Sequence, residues 1–120
     1  MRAILINPFD QTIKEVVYTG DFREIYVLTE CKTFDCVNID DDNTLYVDDE
    51  GLFTQSRYFS WNGRNFAGKA LVIGIDYQTG EDMETSLTIE DVTKAVEFLP
   101  EGHREQPYME FKAWQWIKRK

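Results

Sequence analysis

Residues Gly68–Asp76, GKALVIGID, decide how the rest of the chain is read. Inside them, Ala70-Leu71-Val72-Ile73-Gly74-Ile75 is an unbroken apolar run bounded by Lys69 and Asp76. A β-branched run of that length, flanked by glycine, is the pattern of a strand buried on both faces. It is read as the central strand of a single sheet. Gly74 has no side chain to pack, which points to a bulge or to another backbone passing close.

Outward from that strand the chain alternates short apolar runs with turn residues. Ala3–Ile6 is an apolar strand stopped by Asn7-Pro8, because proline cannot donate to a ladder. Ile13–Tyr18 is a second strand, joined to the first through Phe9–Thr12. Asp21-Phe22-Arg23-Glu24 has the form of a capping box, and Phe22, Ile25, Tyr26 and Leu28 follow at helical spacing, so Asp21–Glu30 is expected to be a short helix on the sheet. Phe34–Ile39 and Thr44–Val47 are strands around an Asp40–Asn43 turn. Leu52-Phe53 and Tyr58–Trp61 are apolar pieces, and Asn62-Gly63 is a strong hairpin signal. Thr88-Ile89-Glu90-Asp91 opens a second helix with Ile89, Val92, Val96 and Leu99 facing inward. After Pro100-Glu101-Gly102, residues Tyr108, Phe111, Trp114 and Ile117 share a helical face. The expected fold is α+β: one mostly antiparallel sheet of about five to six strands, two short helices and a C-terminal aromatic helix or tail. The division is a domain over 1–99 and an aromatic, basic extension over 100–120, packing on the domain or on a partner.

At 120 residues with 42% hydrophobic residues, the chain has enough material for one core and no case for wholesale disorder. No apolar run approaches the roughly 18 residues of a membrane helix. The start, Met1–Pro8, is too short an apolar stretch for a secretion signal and has no small-residue cleavage site. A bacterial or viral cytoplasmic protein is therefore expected, with no membrane partner.

Net charge is −9 and unevenly spread. Residues 1–103 carry 8 basic and 20 acidic groups, a net −12, whereas residues 104–120 carry 5 basic and 2 acidic, a net +3. The densest acidic stretch holds Asp35, Asp40, Asp41, Asp42, Asp48, Asp49 and Glu50 with no Lys or Arg among them. Phosphate contact needs clustered cations, so direct nucleic-acid binding is not expected.

The chemical motifs fail on composition or context. Gly63–Lys69 fits G-x-x-x-x-G-K, but Ala70 stands where Ser or Thr must hold Mg²⁺, and a strand follows where a helix is required. Cys31 and Cys36 have no second pair with which to build a redox or zinc site, and are read as small packing residues. His103, the sole histidine, lies in a polar loop and is expected to be exposed. Read as an EF-hand loop from Asp40, the sixth and twelfth positions are Leu45 and Gly51, not Gly and an acid. Ser56, Ser60 and Ser86 lie in no nucleophile elbow. No cofactor and no catalytic residue is expected, and the chain is read as a non-enzyme. Tyr58, Phe59, Trp61 and Phe66 crowd one turn, and Trp114 and Trp116 point in different directions on any helix. These are candidate contacts for a protein partner.

Several stretches resemble a family of small proteins of unknown function carried by bacteriophages, plasmids and their hosts. They are Arg2-Ala3-Ile4-Leu5-Ile6-Asn7-Pro8, Val47-Asp48-Asp49-Glu50-Gly51-Leu52, Phe66-Ala67-Gly68-Lys69-Ala70-Leu71-Val72-Ile73-Gly74 and Ser86-Leu87-Thr88, spanning about residues 1–99. The resemblance implies an α+β fold and a mobile-element setting, and transfers no active site. The expected function is that of an acidic accessory protein binding a host protein, with Asp40, Asp41, Asp42, Asp48, Asp49 and Glu50 imitating nucleic-acid phosphates and Trp61, Trp114 and Trp116 adding contacts. Two alternatives are a homo-oligomeric module joined through the tail, and a weak metal-dependent hydrolase built on the acidic turns.

Overall fold

The apolar run forms strand β7 (Ala70–Ile75), hydrogen-bonded on one side to β1 (Arg2–Asn7) and on the other to β4 (Asn43–Asp48). The structure, a computed structural model, describes residues 1–51 and 55–103. Outside β1 lies β2 (Thr12–Val17), and outside β4 lies β3 (Phe34–Asn38), giving the order β2-β1-β7-β4-β3. The two-residue β8 (Asp82–Met83) pairs with the end of β7 and completes an antiparallel six-stranded sheet. The expected α+β fold is present, with two short helices, α1 (Arg23–Thr29) and α2 (Ile89–Ala95).

Burial on both faces follows from what lies above and below. On one face Ala3, Leu5, Leu71 and Ile73 pack with Tyr18 and with Ile25 of α1. On the other, Ile4, Ile6, Leu45, Val47, Ala70 and Val72 meet Phe59, Phe66 and Val92. Phe59 and Phe66 belong to a second sheet of three strands, β5 (Tyr58–Trp61), β6 (Arg64–Ala67) and β9 (Val96–Phe98), ordered β6-β5-β9. Val92 comes from α2. Because odd and even residues of β1 and β7 both face apolar layers, their sequences are continuous rather than alternating.

Three local readings change. The Asp21 capping box is displaced: the N-cap of α1 is Phe22 without a side-chain bond, and Glu24 reaches back to the Thr19 amide and hydroxyl instead. Phe22 is 58% exposed and does not pack inward with Ile25. The second helix is shorter than its spacing predicts, because at Val96 the backbone turns extended and Val96–Phe98 pairs with β5. Val96 and Phe98 are strand formers placed beside an otherwise unpaired strand edge, and the ladder prevails over helical periodicity.

The other local signals hold. Asn62 and Gly63 both have positive φ, 48° and 92°, and turn β5 into β6. Thr88 caps α2, accepting from the Asp91 amide at 3.0 Å while Asp91 accepts from the Thr88 amide at 2.9 Å. Thr88→Ala is expected to cost about 1 kcal/mol, read as a lower urea midpoint with an unchanged slope. The glycines of the near-miss phosphate motif bracket β6 and precede β7, so strand lies on both sides of them.

Candidate functional site

β4 separates the acidic residues that look continuous in the sequence. Asp40, Asp41 and Asp42 precede its first residue, and Asp48, Asp49 and Glu50 sit at or beyond its last. Six strand residues place the groups about 20 Å apart, at opposite ends of the sheet.

At the first end, Asp40–Asp42 are joined by acids distant in sequence. The Ile75 amide donates to the Asp42 carbonyl at 2.8 Å, and the Asp76 amide to the Glu81 carbonyl at 2.9 Å. Thus the β3–β4 turn and the β7–β8 turn lie side by side, bringing Asp40, Asp41, Asp42, Asp76, Glu81, Asp82 and Glu84 to one end. Segments 38–43 and 74–84, which form it, contain no Lys or Arg. Neighbouring strands are about 4.8 Å apart, so these carboxylates sit close enough to reinforce one another's field. The cations near them are engaged: the Met1 ammonium donates to the Tyr18 carbonyl, and Arg2 donates to Glu15 and to the carbonyls of Thr85 and Leu87.

Asn43 holds this end together. It is fully buried, and its carbonyl oxygen accepts from the Thr85 hydroxyl at 2.6 Å and the Ser86 amide at 3.3 Å. Its amide donates to Asp40 at 3.0 Å and to the Ser86 hydroxyl at 2.9 Å. Asp40 also accepts from the Asp42 amide, which fixes the turn. The Asp41, Asp42 and Glu81 carboxylates are exposed and accept no hydrogen bond among the described residues.

The opposite end is mixed in charge. Asp48 accepts from Gln55 at 2.8 Å and from the Glu50 amide at 2.9 Å, and Glu30 pairs with Lys69. A cleft there lined by Glu30, Cys31, Lys32, Asp48, Glu50 and Gln55 shares Asp48 with one neighbouring cleft and Glu30 and Gln55 with another.

Residues 1–99 match a family described as "Domain of unknown function (DUF3846)". The chain belongs to that family. No curated protein and no solved structure matches it. In this DUF3846 domain, no three His, Cys, Asp or Glu side chains among the described residues are arranged to hold a metal ion. No helix among them is long and apolar enough to cross a membrane.

Several side chains sit differently from their sequence reading. Tyr58, Phe59 and Phe66 are buried and so are not an exposed aromatic patch. Trp61 is half-buried against the core between the sheets. Trp114 and Trp116, with the rest of the aromatic tail, lie outside the described residues, as do Leu52 and Phe53. Cys36 is exposed on the edge strand β3 and Cys31 half-buried; both are free, so only Cys31 fits a packing role. His103 is half-buried, its ring edge-on to Tyr58 at 5.3 Å. Among the described residues the exposed aromatics are Phe9, Phe22 and Tyr77, the last on the turn beside Asp76.

Two tyrosines behind the acidic end of the DUF3846 sheet are tuned by burial and by Asp82. Tyr18 donates to Asp82 at 3.0 Å, and burial together with that carboxylate pushes its phenol well above the ordinary range. Tyr46 is raised in the same way, by burial first and then by Asp82. Free tyrosine ionises near 10. Both phenols therefore stabilise the fold fully below about pH 10, and the contribution is lost as pH rises from there toward the folded values. Urea midpoints are expected to stay level up to about pH 9.5 and then fall, with a shallower fall in Tyr18→Phe.

Proposed function

We propose that this protein acts without catalysis, by binding a basic protein surface through the acidic end of its larger sheet. The convergence of Asp40, Asp41 and Asp42 with Asp76, Glu81, Asp82 and Glu84 carries this reading. Adjacent turns of carboxylates with no interleaved cation offer a partner the charge density it meets on nucleic acid, whose duplex carries one charge per about 1.7 Å of axis. In the mobile-element setting implied by the sequence resemblance, the partner is a basic nucleic-acid-binding protein of the bacterial host, and binding occupies its groove. Asp48, Asp49 and Glu50, at the opposite end of the sheet, are not part of this surface. The defining experiment is DNA displacement. A purified basic DNA-binding protein of the host, bound to labelled duplex, should release it on addition of wild-type protein at about 0.1 M salt, and not at about 1 M, where the screening length falls to about 3 Å.

A second reading, self-association, is favoured by exposed apolar residues on and beside α1, with Phe22 58% and Val27 75% exposed. Phe22 also heads an aromatic row through Tyr26 and Phe34 to Tyr46, with centroid spacings of 6.3, 4.9 and 5.4 Å. Light scattering of wild type against Val27→Lys separates the two readings. A dimeric mass that the substitution abolishes supports self-association, and a monomeric mass removes it.

A further inference from the structure

The cleft between the two sheets, at the β3 edge, is unlike the acidic end and lies across the molecule from it. About 190 Å³ in volume, it has Asp35, Asp48 and Asp49 on its rim and Val37, Val47 and Phe66 on its floor. Val47 and Phe66 are core residues, 7% and 8% exposed, so the floor is fixed. An apolar floor with an anionic rim suits a side chain with an aliphatic stem and a cationic head. The guanidinium of Arg64, also at the cleft, lies over the Phe66 ring at 5.1 Å and makes no ion pair with the rim among the described residues.

The chain carries an occupant of that chemistry close by. His103 packs on Tyr58, and Tyr58 is the cross-strand partner of Ala67, which lines the cleft. Beyond His103 the sequence holds Arg104, Lys112, Lys118, Arg119 and Lys120 against Glu105 and Glu110. Lys112 is nine residues further on, a reach of up to about 30 Å. A tether this short gives an effective concentration in the millimolar range, enough to populate a weak cationic contact.

We propose that this cleft receives a cationic side chain and that its occupant is the chain's own basic C-terminal segment, bound in cis. The proposal does not depend on the function assigned to the acidic end. Limited trypsin digestion of the full-length protein at low salt, with cleavage after Lys112 timed by mass spectrometry, tests it. Asp35→Lys/Asp49→Lys is expected to speed that cleavage about five-fold or more, the factor given by roughly 1 kcal/mol of pairing. Lys118→Glu/Arg119→Glu/Lys120→Glu, which leaves the domain untouched, is expected to do the same. Asp41→Lys/Asp42→Lys at the acidic end should leave the rate unchanged. Equal rates in wild type and both of the first two variants overturn the proposal. So does an equal acceleration by Asp41→Lys/Asp42→Lys, which would mean unspecific attraction. Protection that grows with protein concentration overturns the cis assignment in favour of a second copy.

Discussion

Gly74→Ala is expected to cost about 3 kcal/mol or more, through overpacking that the surroundings cannot relieve. A Cβ at this position would stand 2.2 Å from the Glu84 carbonyl oxygen, 2.8 Å from its carbon and 2.9 Å from the Met83 oxygen. All three are backbone atoms, so no side-chain rotation makes room. The segment they belong to is pinned on its far side, where Thr85 bonds to Asn43 and its amide to the Arg2 carbonyl. For a domain of this size the loss corresponds to a melting temperature lower by about 10–20 °C. A fall of under about 3 °C would show that β8 does not cross Gly74 so closely.

Asn43→Ala is expected to cost about 2–4 kcal/mol, because it leaves buried polar groups unpaired rather than merely removing a contact. Thr85 is 3% exposed and its hydroxyl would lose the acceptor that now sits at 2.6 Å. Asp40 and the Ser86 hydroxyl would lose their amide donor as well. Asn43→Asp separates shape from charge. It fills the same space but turns a carboxylate toward Asp40, so it should destabilise strongly at neutral pH and recover partly under mild acid, where the new group protonates. Denaturant midpoints at the two pH values read this directly. Equal loss at both would mean that packing, not hydrogen bonding, sets the role of Asn43.

The same residues show why the sequence is informative in some places and silent in others. Ala70–Ile75 and Ala3–Ile6 announce themselves because burial on both faces leaves no room for polar alternation. Gly74 signals a close backbone because a glycine inside such a run has no packing role of its own, and the segment around Glu84 is that backbone. Asn62-Gly63 and Thr88 are legible because turn and cap chemistry is local. Val96–Phe98 is not, since its partner β5 lies 35 or more positions away and its spacing also fits a helix. Acidity is visible in composition, but its geometry is not. Asp40–Asp42 and Asp48–Glu50 look like one patch until the length of β4 divides them. Asp42 and Asp76 become neighbours only through the pairing of β4 with β7. The central role of Asn43 leaves no local trace, because its partners Thr85 and Ser86 are more than forty residues downstream.

In the proposed function the acidic end is the recognition surface. The most direct test compares affinity capture from bacterial lysate by the wild-type protein and by Asp41→Asn/Asp42→Asn/Asp76→Asn/Glu81→Gln, which removes four charges from exposed and half-buried turn positions without altering side-chain size. Wild type should retain basic nucleic-acid-binding proteins at about 0.1 M salt and release them at about 1 M, and the neutralised variant should retain none. Capture of the same proteins by both, unchanged across that salt range, would contradict it.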